Sequence, residues 1–255
     1  MLALERRNLI LEKLQEEKRV VVSELSQQFG VSEETIRRDL EKMEKEGLAT
    51  KSYGGAVLNE NTSIDMPFNV RKKANVTGKQ KIAELAAAQI HDGDHIILDA
   101  SSTSVFIAKA IKDKSHLTVI TNSIEIIIEL SDVSDWNIIC SGGSLREGYL
   151  ALVGPKTAEG LGSFNADKAF FSCKGIDMEK GITDGNEMFS QVKHVMMYSA
   201  KESMLAVDST KFDKVAFSKL CDVSSMSTII TDKKPDEKWL GYFERNGIKC
   251  IFPEE

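Results

Sequence analysis

The sequence predicts an α/β protein with two domains: a small, mostly helical N-terminal domain and a larger α/β domain with a mostly parallel sheet. Two observations lead to this fold class. Apolar residues recur at helical spacing in the first 58 residues, interrupted by short glycine-containing turns. From about residue 79, short β-branched strands alternate with helices, which is typical of a parallel sheet covered on both faces. We therefore divide the chain into residues 1–58, a polar linker of residues 59–78, and residues 79–255.

The composition is that of an ordinary globular protein, because 42% of the 255 residues are hydrophobic and 28% are charged. No apolar run approaches the length that a transmembrane helix requires, and residues 1–12 lack the apolar core of a signal peptide. The four cysteines and four histidines are scattered without metal-ligand spacing. We therefore expect a cytoplasmic protein with reduced thiols, no membrane partner, no metal and no cofactor.

Net charge varies along the chain in a way that bears on nucleic-acid binding. The whole chain carries −6, and residues 1–60 hold 10 basic against 12 acidic residues. Residues 61–81 hold 5 basic residues and 1 acidic residue, whereas residues 82–255 hold 18 and 26. The N-terminal domain thus lacks the basic surplus that general attraction to phosphates needs. Any DNA binding has to depend on a few well-placed arginine and lysine side chains.

The first elements follow from apolar spacing and a glycine stop. Residues 3–17 are expected to form a helix, and residues 20–22 form a short β-branched run. Ser23 is expected to cap a second helix. Gly30 is expected to end that helix, because glycine adopts positive φ without strain.

A third helix and a hairpin complete the N-terminal domain. Ser32 opens the helix, which Gly47 is expected to stop. Residues 48–58 then alternate around Gly54-Gly55, which predicts a β-hairpin. The two helices and their glycine turn form a helix-turn-helix over about residues 20–39, with the hairpin as its wing.

This module predicts a DNA-reading surface. At 100° per residue, Ile36, Leu40 and Met43 share the inner face of the third helix. The start of such a helix reaches base edges, where arginine binds guanine or phosphate and threonine contacts a thymine methyl. The predicted DNA contacts are Ser32, Glu34, Thr35, Arg37 and Arg38 on the helix, and Lys51, Tyr53 and Gly54 in the wing. The alternative is an ordinary three-helix bundle with a solvated charged face.

In the larger domain, strands and helices alternate as a doubly wound sheet requires. Helices are expected at residues 81–90, 104–111 and 124–130, and the methionine-rich residues 188–197 are expected to form a helix face. Strands are expected at residues 95–100, 117–121, 136–140, 168–172, 204–208, 228–231 and 249–252. Trp136 and Trp239 are expected to serve packing.

Polar residues and glycines follow the first three of these strands. The motifs are Asp99-Ala100-Ser101-Ser102-Thr103, Thr121-Asn122-Ser123 and Ser141-Gly142-Gly143. Ligands of open parallel sheets bind beyond the carboxyl ends of the strands, and helix-start amides with hydroxyls suit a phosphate. Each motif is equally compatible with a helix cap or a turn. Their recurrence predicts a site for a phosphorylated, hydroxyl-rich ligand, to which these charged residues would add: Arg146, Lys174, Lys193, Lys211, Asp177, Glu187 and Asp208.

Several segments resemble the signature of the DeoR family of bacterial regulators. They are Val22-Ser23-Glu24-Leu25-Ser26, Phe29-Gly30-Val31-Ser32, Thr35-Ile36-Arg37-Arg38-Asp39-Leu40, Gly47-Leu48 and Tyr53-Gly54-Gly55-Ala56. The resemblance extends over residues 5–58 and continues over roughly residues 75–252. It implies a winged helix-turn-helix, a repressor role, and a sensor domain similar in fold to ribose-5-phosphate isomerase.

The resemblance also implies an effector pocket. The matching positions are Asp99, Ser101, Ser102, Thr103, Thr121, Asn122, Gly142, Gly143, Lys174, Gly175, Ile176, Asp177, Thr183, Glu187, Lys193, Asp208, Ser209, Thr210 and Lys211. One departure is that the first motif carries a serine where family members commonly have a glycine. That serine is expected to narrow the phosphate cradle.

The expected partners are double-stranded operator DNA and a phosphorylated sugar, and the expected assembly is a homodimer or homotetramer, since such readers bind paired half-sites. The protein is expected not to be an enzyme. The alternative is a sugar-phosphate isomerase with an appended DNA-binding module, in which Asp177, Glu187 and Lys211 would supply acid, base and charge stabilisation. An activator built from the same two modules is equally compatible with the sequence.

Overall fold

The computed structural model describes residues 2–45, 48–58 and 68–254. The chain divides into two compact units, Met1–Ala74 and Asn75–Glu255. The expected helix stop at Gly47 and residues 59–67 of the expected linker lie outside the described residues. None of the described helices has both the length and the apolar character that crossing a membrane requires.

The first unit combines helices with a small antiparallel sheet. Its elements are α1 (Ala3–Glu17), β1 (Arg19–Val21), α2 (Val22–Phe29), α3 (Glu33–Lys45), β2 (Ala49–Ser52), β3 (Gly55–Leu58) and α4 (Phe68–Lys73). Strand β3 lies between β1 and β2 and pairs antiparallel with both. The helix-turn-helix is thus α2–α3, and its wing is the β2–β3 hairpin.

The start of α2 differs from the expected one. Ser23 lies inside the helix, whose N-cap is Val21. Val21 also ends β1, so the strand runs directly into the helix, and the amide of Val22 donates to the carbonyl of Gly54 at 2.8 Å. Because the wing turn satisfies an amide at the helix start, no capping serine is needed there. Gly30 ends the helix as expected, with φ of 64°.

The core of the first unit lies between its helices and its sheet. Its fully buried side chains include Ile10, Leu11, Leu14, Leu25, Ile36, Leu40 and Met43. A charged pair is buried beside them, in which Nε of Arg6 on α1 donates to Oδ2 of Asp39 on α3 at 2.6 Å. Since removing one partner would leave an uncompensated buried charge, this pair fixes α1 against α3.

The second unit alternates strands and helices along most of its length. The strands are β4 (His95–Leu98), β5 (Thr118–Thr121), β6 (Asn137–Cys140), β7 (Ser144–Arg146), β8 (Ala151–Val153), β9 (Ala166–Phe171), β10 (Gly175–Asp177), β11 (Gly181–Asp184), β12 (Ala200–Ala206), β13 (Ser218–Cys221), β14 (Thr228–Ile230) and β15 (Lys249–Ile251). The helices are α5 (Val76–Ala87), α6 (Ser102–Ala110), α7 (Ile124–Leu130), α8 (Pro155–Gly162), α9 (Glu187–Tyr198) and α10 (Glu237–Arg245).

The expected parallel sheet is confirmed. Its strand order is β15-β14-β12-β9-β4-β5-β6, and every pairing in it is parallel. Two small antiparallel sheets, β7-β8 and β10-β11-β13, were not expected. Their strands have three or four residues, too few for an alternating pattern to stand out. Helix α5 begins inside the expected linker, and α8 and α10 were not expected.

The strand order places a crevice at the middle of the sheet. From β4 the chain moves through β5 to β6 at one edge, then returns to β9 on the other side of β4. It continues outward through β12 and β14 to β15. The connections that follow β4 and β9 therefore leave in opposite directions. Open α/β sheets bind ligands at such a switch point, beyond the carboxyl ends of the strands.

Candidate functional site

The exposed face of α3 is the candidate nucleic-acid interface. Ile36, Leu40 and Met43 are buried on its inner face, as expected. Arg37 and Arg38 lie on the outer face, with side chains 51% and 77% exposed. The cations that the sequence assigned to DNA contacts therefore point away from the core.

Both arginines pair with glutamates one helical turn earlier. Nη2 of Arg37 lies 2.5 Å from Oε2 of Glu33, and Nε of Arg38 lies 3.4 Å from Oε1 of Glu34. Exposed pairs at this spacing contribute only about 0.3–0.5 kcal/mol. A phosphate or a guanine edge can therefore displace the glutamates at little cost. Because each arginine is matched by a glutamate of the same helix, α3 carries no net surplus of positive charge.

The start of α3 is organised by hydroxyl groups. Oγ of Ser32 accepts from the amide of Thr35 at 3.2 Å and lies 2.9 Å from Oγ1 of the same residue. In the preceding turn, Oγ of Ser26 donates to the carbonyl of Val31 at 2.7 Å. The turn and the helix start are thus fixed before any DNA is bound.

The wing is fastened to the reading helix. The amide of Lys51 donates to Oε1 of Glu44 at 2.9 Å, and its Nζ donates to Oε1 of Glu41 at 3.0 Å. The second hydrogen bond lowers the pKa of Glu41. Tyr53 is fully exposed at the tip, and Gly54 has φ of 79°. The wing therefore presents an aromatic side chain on a turn whose position is tied to α3.

In the second unit, polar residues gather at the carboxyl edge of the parallel sheet. They follow five of its strands in the order Asp99, Asn122, Ser141, Ser172 and Asp208, and all are buried. Most buried polar groups in proteins are hydrogen-bonded, so a buried polar edge of this kind indicates a hydrogen-bonded network, a ligand site or both.

Asp99 is the centre of the network. Its Oδ1 accepts from the amide of Ser101 at 3.1 Å and from Oγ of Ser104 at 2.6 Å. Its Oδ2 accepts from the amide of Ser172 at 3.2 Å and lies 3.3 Å from Nζ of Lys193. Asp99 thereby joins the loops that follow β4 and β9, which are the two sides of the crevice.

The start of α6 leaves polar groups available for a ligand. Ser101 is the N-cap, with Oγ accepting from the amide of Ser104 at 3.0 Å. Its φ of −81° is open to any residue, so the serine in place of the family glycine acts as a helix cap. The next two residues, Ser102 and Thr103, have neither hydroxyl nor amide partners among the described residues. Two amides and two hydroxyls at a helix start suit a phosphate group.

Lys193 is buried against two carboxylates. Its Nζ donates to Oδ2 of Asp184 and to the carbonyl of Ser172 at 2.6 Å, and it faces Asp99. Burial alone would lower the pKa of Lys193, but Asp184 and Asp99 raise it. Correspondingly, the pKa of Asp184 is lowered by Lys193 despite burial. Because its ammonium group donates to Asp184 and Ser172 and faces a second carboxylate, Lys193 orders the site.

Lys174 has a different electrostatic setting. Burial lowers its pKa to about 8, and the charges of Lys193 and Lys211 add to this effect while Asp184 opposes it. The three lysines thus lie within electrostatic reach of one another. Mutual repulsion and partial burial both favour binding of an anion there.

Several expected site residues hold the loops together. Oγ1 of Thr121 donates to the carbonyl of Leu98 at 2.7 Å and joins two strand ends. Nδ2 of Asn122 donates to the carbonyl of Leu152 at 2.9 Å, whereas its buried Oδ1 has no partner among the described residues. The unsatisfied Oδ1 is a candidate acceptor for a ligand hydroxyl.

The glycine pair after β6 permits a close approach to α8. Gly142 and Gly143 have φ of 70° and 112°. A Cβ on Gly143 would lie 1.9 Å from Oγ1 of Thr157, and that hydroxyl donates to the carbonyl of Gly142 at 2.8 Å. Thr183 and Gly175 have a similar structural role, because Oγ1 of Thr183 donates to the Gly175 carbonyl at 3.2 Å.

The remaining expected residues have local contacts. Oδ1 of Asp177 accepts from the amides of Glu179 and Lys180 within its own hairpin. Glu187 pairs with Gln191 at 3.0 Å on the surface of α9. These residues have no described contact with Asp99, and the same holds for exposed Arg146 on β7. Asp208 caps a 3-10 turn, Ser209–Lys211, by accepting from the amide of Thr210 at 3.0 Å.

Sequence reasoning missed three residues of the network: Ser104, Ser172 and Asp184. A signal for Asp184 was present, because Lys193 lies among the buried positions Phe189, Val192 and Met196 of α9. A lysine on a buried helix face requires a carboxylate partner. No comparable local signal marked Ser172, which contributes its backbone.

The described residues contain no cluster of acidic, histidine or cysteine side chains that could hold a metal ion. Residues 6–62 match the model of the DeoR-like helix-turn-helix domain, and residues 74–233 match that of the DeoR C-terminal sensor domain.

Relatives of similar length carry regulatory names. The HTH-type transcriptional regulator YulB of Bacillus subtilis is 39% identical, covering 98% of this chain and 96% of its own. The L-fucose operon activator of Haemophilus influenzae is 35% identical, covering 96% and 98%. The HTH-type transcriptional repressor GlcR of Bacillus subtilis is 34% identical, covering 96% and 95%.

Among solved structures, ribose 5-phosphate isomerase A from Methanocaldococcus jannaschii is 18% identical, covers 55% of each chain and has a TM-score of 0.40. The two domain matches together span most of the chain, in the order of the two compact units. The protein is a DNA-binding transcriptional regulator that belongs to the DeoR family.

Proposed function

We propose that the protein represses a carbohydrate-utilisation operon and that a phosphorylated sugar changes the affinity of the protein for its operator. The observation that carries this proposal is the start of α6. There, the amides and hydroxyls of Ser102 and Thr103 have no partners in the part of the chain that the structure describes, and they lie next to buried Asp99 at the switch point of the sheet. The repressor role is supported by relatives named as transcriptional repressors, and the link to a carbohydrate operon is supported by a relative named as an L-fucose operon activator.

The ligand chemistry follows from the groups around this helix start. A phosphate would accept hydrogen bonds from Ser102 and Thr103 and would be attracted by Lys174. Oδ1 of Asn122, which has no partner among the described residues, and the carboxylate of Asp208 would accept hydrogen bonds from hydroxyl groups of the ligand. Such a set recognises a molecule with one anionic end and several hydroxyl groups, which is the chemistry of a sugar phosphate.

The DNA chemistry follows from the outer face of α3. Arg37 and Arg38 would exchange their glutamate partners for guanine edges or phosphates, while Lys51 and Tyr53 would approach the backbone. Two copies would bind paired half-sites, so we propose a homodimer or homotetramer that acts in the cytoplasm, where its operator is.

We propose a regulator without catalytic turnover. An isomerase would need Asp177 and Glu187 as an acid–base pair near a bound carbonyl. The carboxylate of Asp177 is occupied by amides of its own hairpin, and Glu187 faces Gln191 on the surface. The relatives named above are regulators. An activator role has the same structural support as a repressor role, and a reporter assay in a deletion strain distinguishes them.

The test is a binding titration of the promoter region of its own operon, with and without a panel of phosphorylated aldoses and ketoses. At least one sugar phosphate is expected to change operator affinity. Thr103→Val is expected to weaken the binding of that compound about five- to tenfold, because a hydrogen bond of this kind contributes about 1 kcal/mol. The melting temperature of the variant should equal that of the native protein, since the hydroxyl has no described protein partner. Lack of selective binding to the promoter region would contradict the proposal.

A further inference from the structure

Asp232 lies two residues after the end of β14, at the same carboxyl edge of the parallel sheet. Its side chain is buried, and its Oδ1 accepts from the amide of Ser209 at 2.6 Å. Ser209 begins the 3-10 turn that Asp208 caps and that ends at Lys211. Asp232 is therefore hydrogen-bonded to the loop that carries two of the proposed effector contacts.

The other carboxylate oxygen of Asp232 faces the first turn of α5. A Cβ on Gly78 would lie 2.7 Å from Oδ2 of Asp232, and 2.5 and 2.6 Å from Nδ2 and Oδ1 of Asn75, so both side chains reach this position only because residue 78 is glycine. The same turn is capped by Asn75, whose Oδ1 accepts from the amide of Gly78 at 3.3 Å. A negative charge at a helix start is stabilised by the partial positive charge of the unpaired amides.

Helix α5 is where the second unit begins. The unit that contains the helix-turn-helix ends at Ala74, and α5 starts at Val76 with Asn75 as its cap. The first turn of α5 is thus separated along the chain from the DNA-binding unit by a single residue, Asn75. One carboxylate contacts both this turn and the proposed effector loop.

We infer that Asp232 is a positioning residue that couples the Ser209–Lys211 loop to the first turn of α5, and through it couples effector binding to DNA binding. This inference rests on the proposed function. When a bound ligand moves the Ser209–Lys211 loop towards the start of α6, the hydrogen bond from the Ser209 amide moves Oδ1 of Asp232 with the loop. Oδ2 then shifts against Gly78, and the first turn of α5 changes its stability. A ligand shifts an equilibrium only through such a differential contact.

The experiment is hydrogen–deuterium exchange on the full chain, with and without the panel of sugar phosphates and inorganic phosphate. In the native protein, a binding compound is expected to change exchange at residues 102–104, 208–212 and 76–79. The change at residues 76–79 should be about fivefold or more, at the lower end of typical allosteric couplings. Asp232→Asn is expected to keep the response at residues 102–104 and lose the response at residues 76–79.

Two further variants separate coupling from a structural effect. Asp236→Asn removes a cap that accepts from the amide of Trp239 at 3.0 Å, at the neighbouring helix α10, and should leave all three responses intact. Gly78→Ala tests the contact between Asp232 and α5 by a change on the helix. By helix propensity alone it would stabilise α5 and slow basal exchange. By our inference it displaces the carboxylate together with the Asn75 side chain, and it removes the response at residues 76–79, as Asp232→Asn does with the Asn75 cap unchanged.

The same variants are then compared in operator titrations with the active compound. The ratio of operator dissociation constants with and without that compound is expected to fall towards one in Asp232→Asn and to persist in Asp236→Asn. An unchanged ratio, or an equal response at residues 76–79 in Asp232→Asn, would overturn the inference while leaving the proposed function standing. Absence of any response at residues 102–104 with every compound would overturn both.

Discussion

Arg38 is the residue at which DNA recognition can be tested with the least risk to the fold. Its side chain is 77% exposed, and its pair with Glu34 is a surface pair. Arg38→Ala is expected to weaken operator binding about tenfold or more, because a specific base contact contributes about 1–3 kcal/mol. Fluorescence anisotropy with operator and scrambled duplexes measures this loss.

The matched control for Arg38 is Arg245→Ala, which removes an exposed arginine from α10 in the other unit. Both variants should melt like the native protein. If the Arg38 variant keeps operator selectivity with a normal melting curve, the outer face of α3 is assigned wrongly, although the family is not in question.

Lys174 is expected to make effector binding depend on pH. Burial lowers its pKa to about 8, so its ammonium form is present below that pH and is lost above it. A sugar phosphate keeps its charge over pH 7.5–9, since its second pKa is about 6. Effector affinity is therefore expected to fall several-fold as pH rises through about 8.

Isothermal titration calorimetry at pH 7 and pH 9 measures this dependence. Lys174→Met should bind more weakly at pH 7 and should change little between the two values. Lys109→Met, an exposed lysine of α6, is the control that should keep the native pH profile. A native profile that is flat across this range would exclude Lys174 from anion binding.

At the scale of elements, the contact between α1 and α3 combines apolar packing with a buried ion pair. Side chains of Arg6 and Asp39 are 8% and 6% exposed. Asp39→Ala would leave Arg6 unpaired, and breaking such a pair costs about 3–5 kcal/mol. The variant is expected to destabilise the DNA-binding unit and lose operator binding as a consequence.

Hydrogen exchange of residues 5–45 is the suitable measurement, because both tryptophans, Trp136 and Trp239, lie in the second unit. Glu34→Ala removes a partner from an exposed pair instead, and should change stability by no more than about 0.5 kcal/mol. Equal stability of the two variants would show that the buried pair does not hold the helices together.

Helices and strands were predictable where the spacing of apolar residues repeats over enough positions within one element. Helix α7 has the expected bounds, residues 124–130, and the parallel strands lie within a few residues of their expected positions. The strands of the small sheets, such as β7 and β10, were missed because three residues carry no readable period. The prediction that Ser23 caps α2 was wrong, because the wing turn, which is distant in sequence, accepts the hydrogen bond of the Val22 amide at the start of α2.

At the scale of the whole molecule, the sequence by itself determined the two-part architecture, the helix-turn-helix and the strand ends that carry the candidate ligand groups. These features depend on residue spacing within a single element and on motifs that resemble one family. The exposed arginines of α3 and the serine-rich start of α6 both followed from such local patterns.

Only the tertiary structure decided which charges meet. Asp99 bonds Ser172 across 73 residues, and Arg6 bonds Asp39 across 33. Lys193, which the sequence predicted as a ligand contact, donates to Asp184 and Ser172 and lies 3.3 Å from Asp99. The physical reason is that a buried charge must find its partner in space, and strand order, which local sequence does not encode, sets which loops are neighbours.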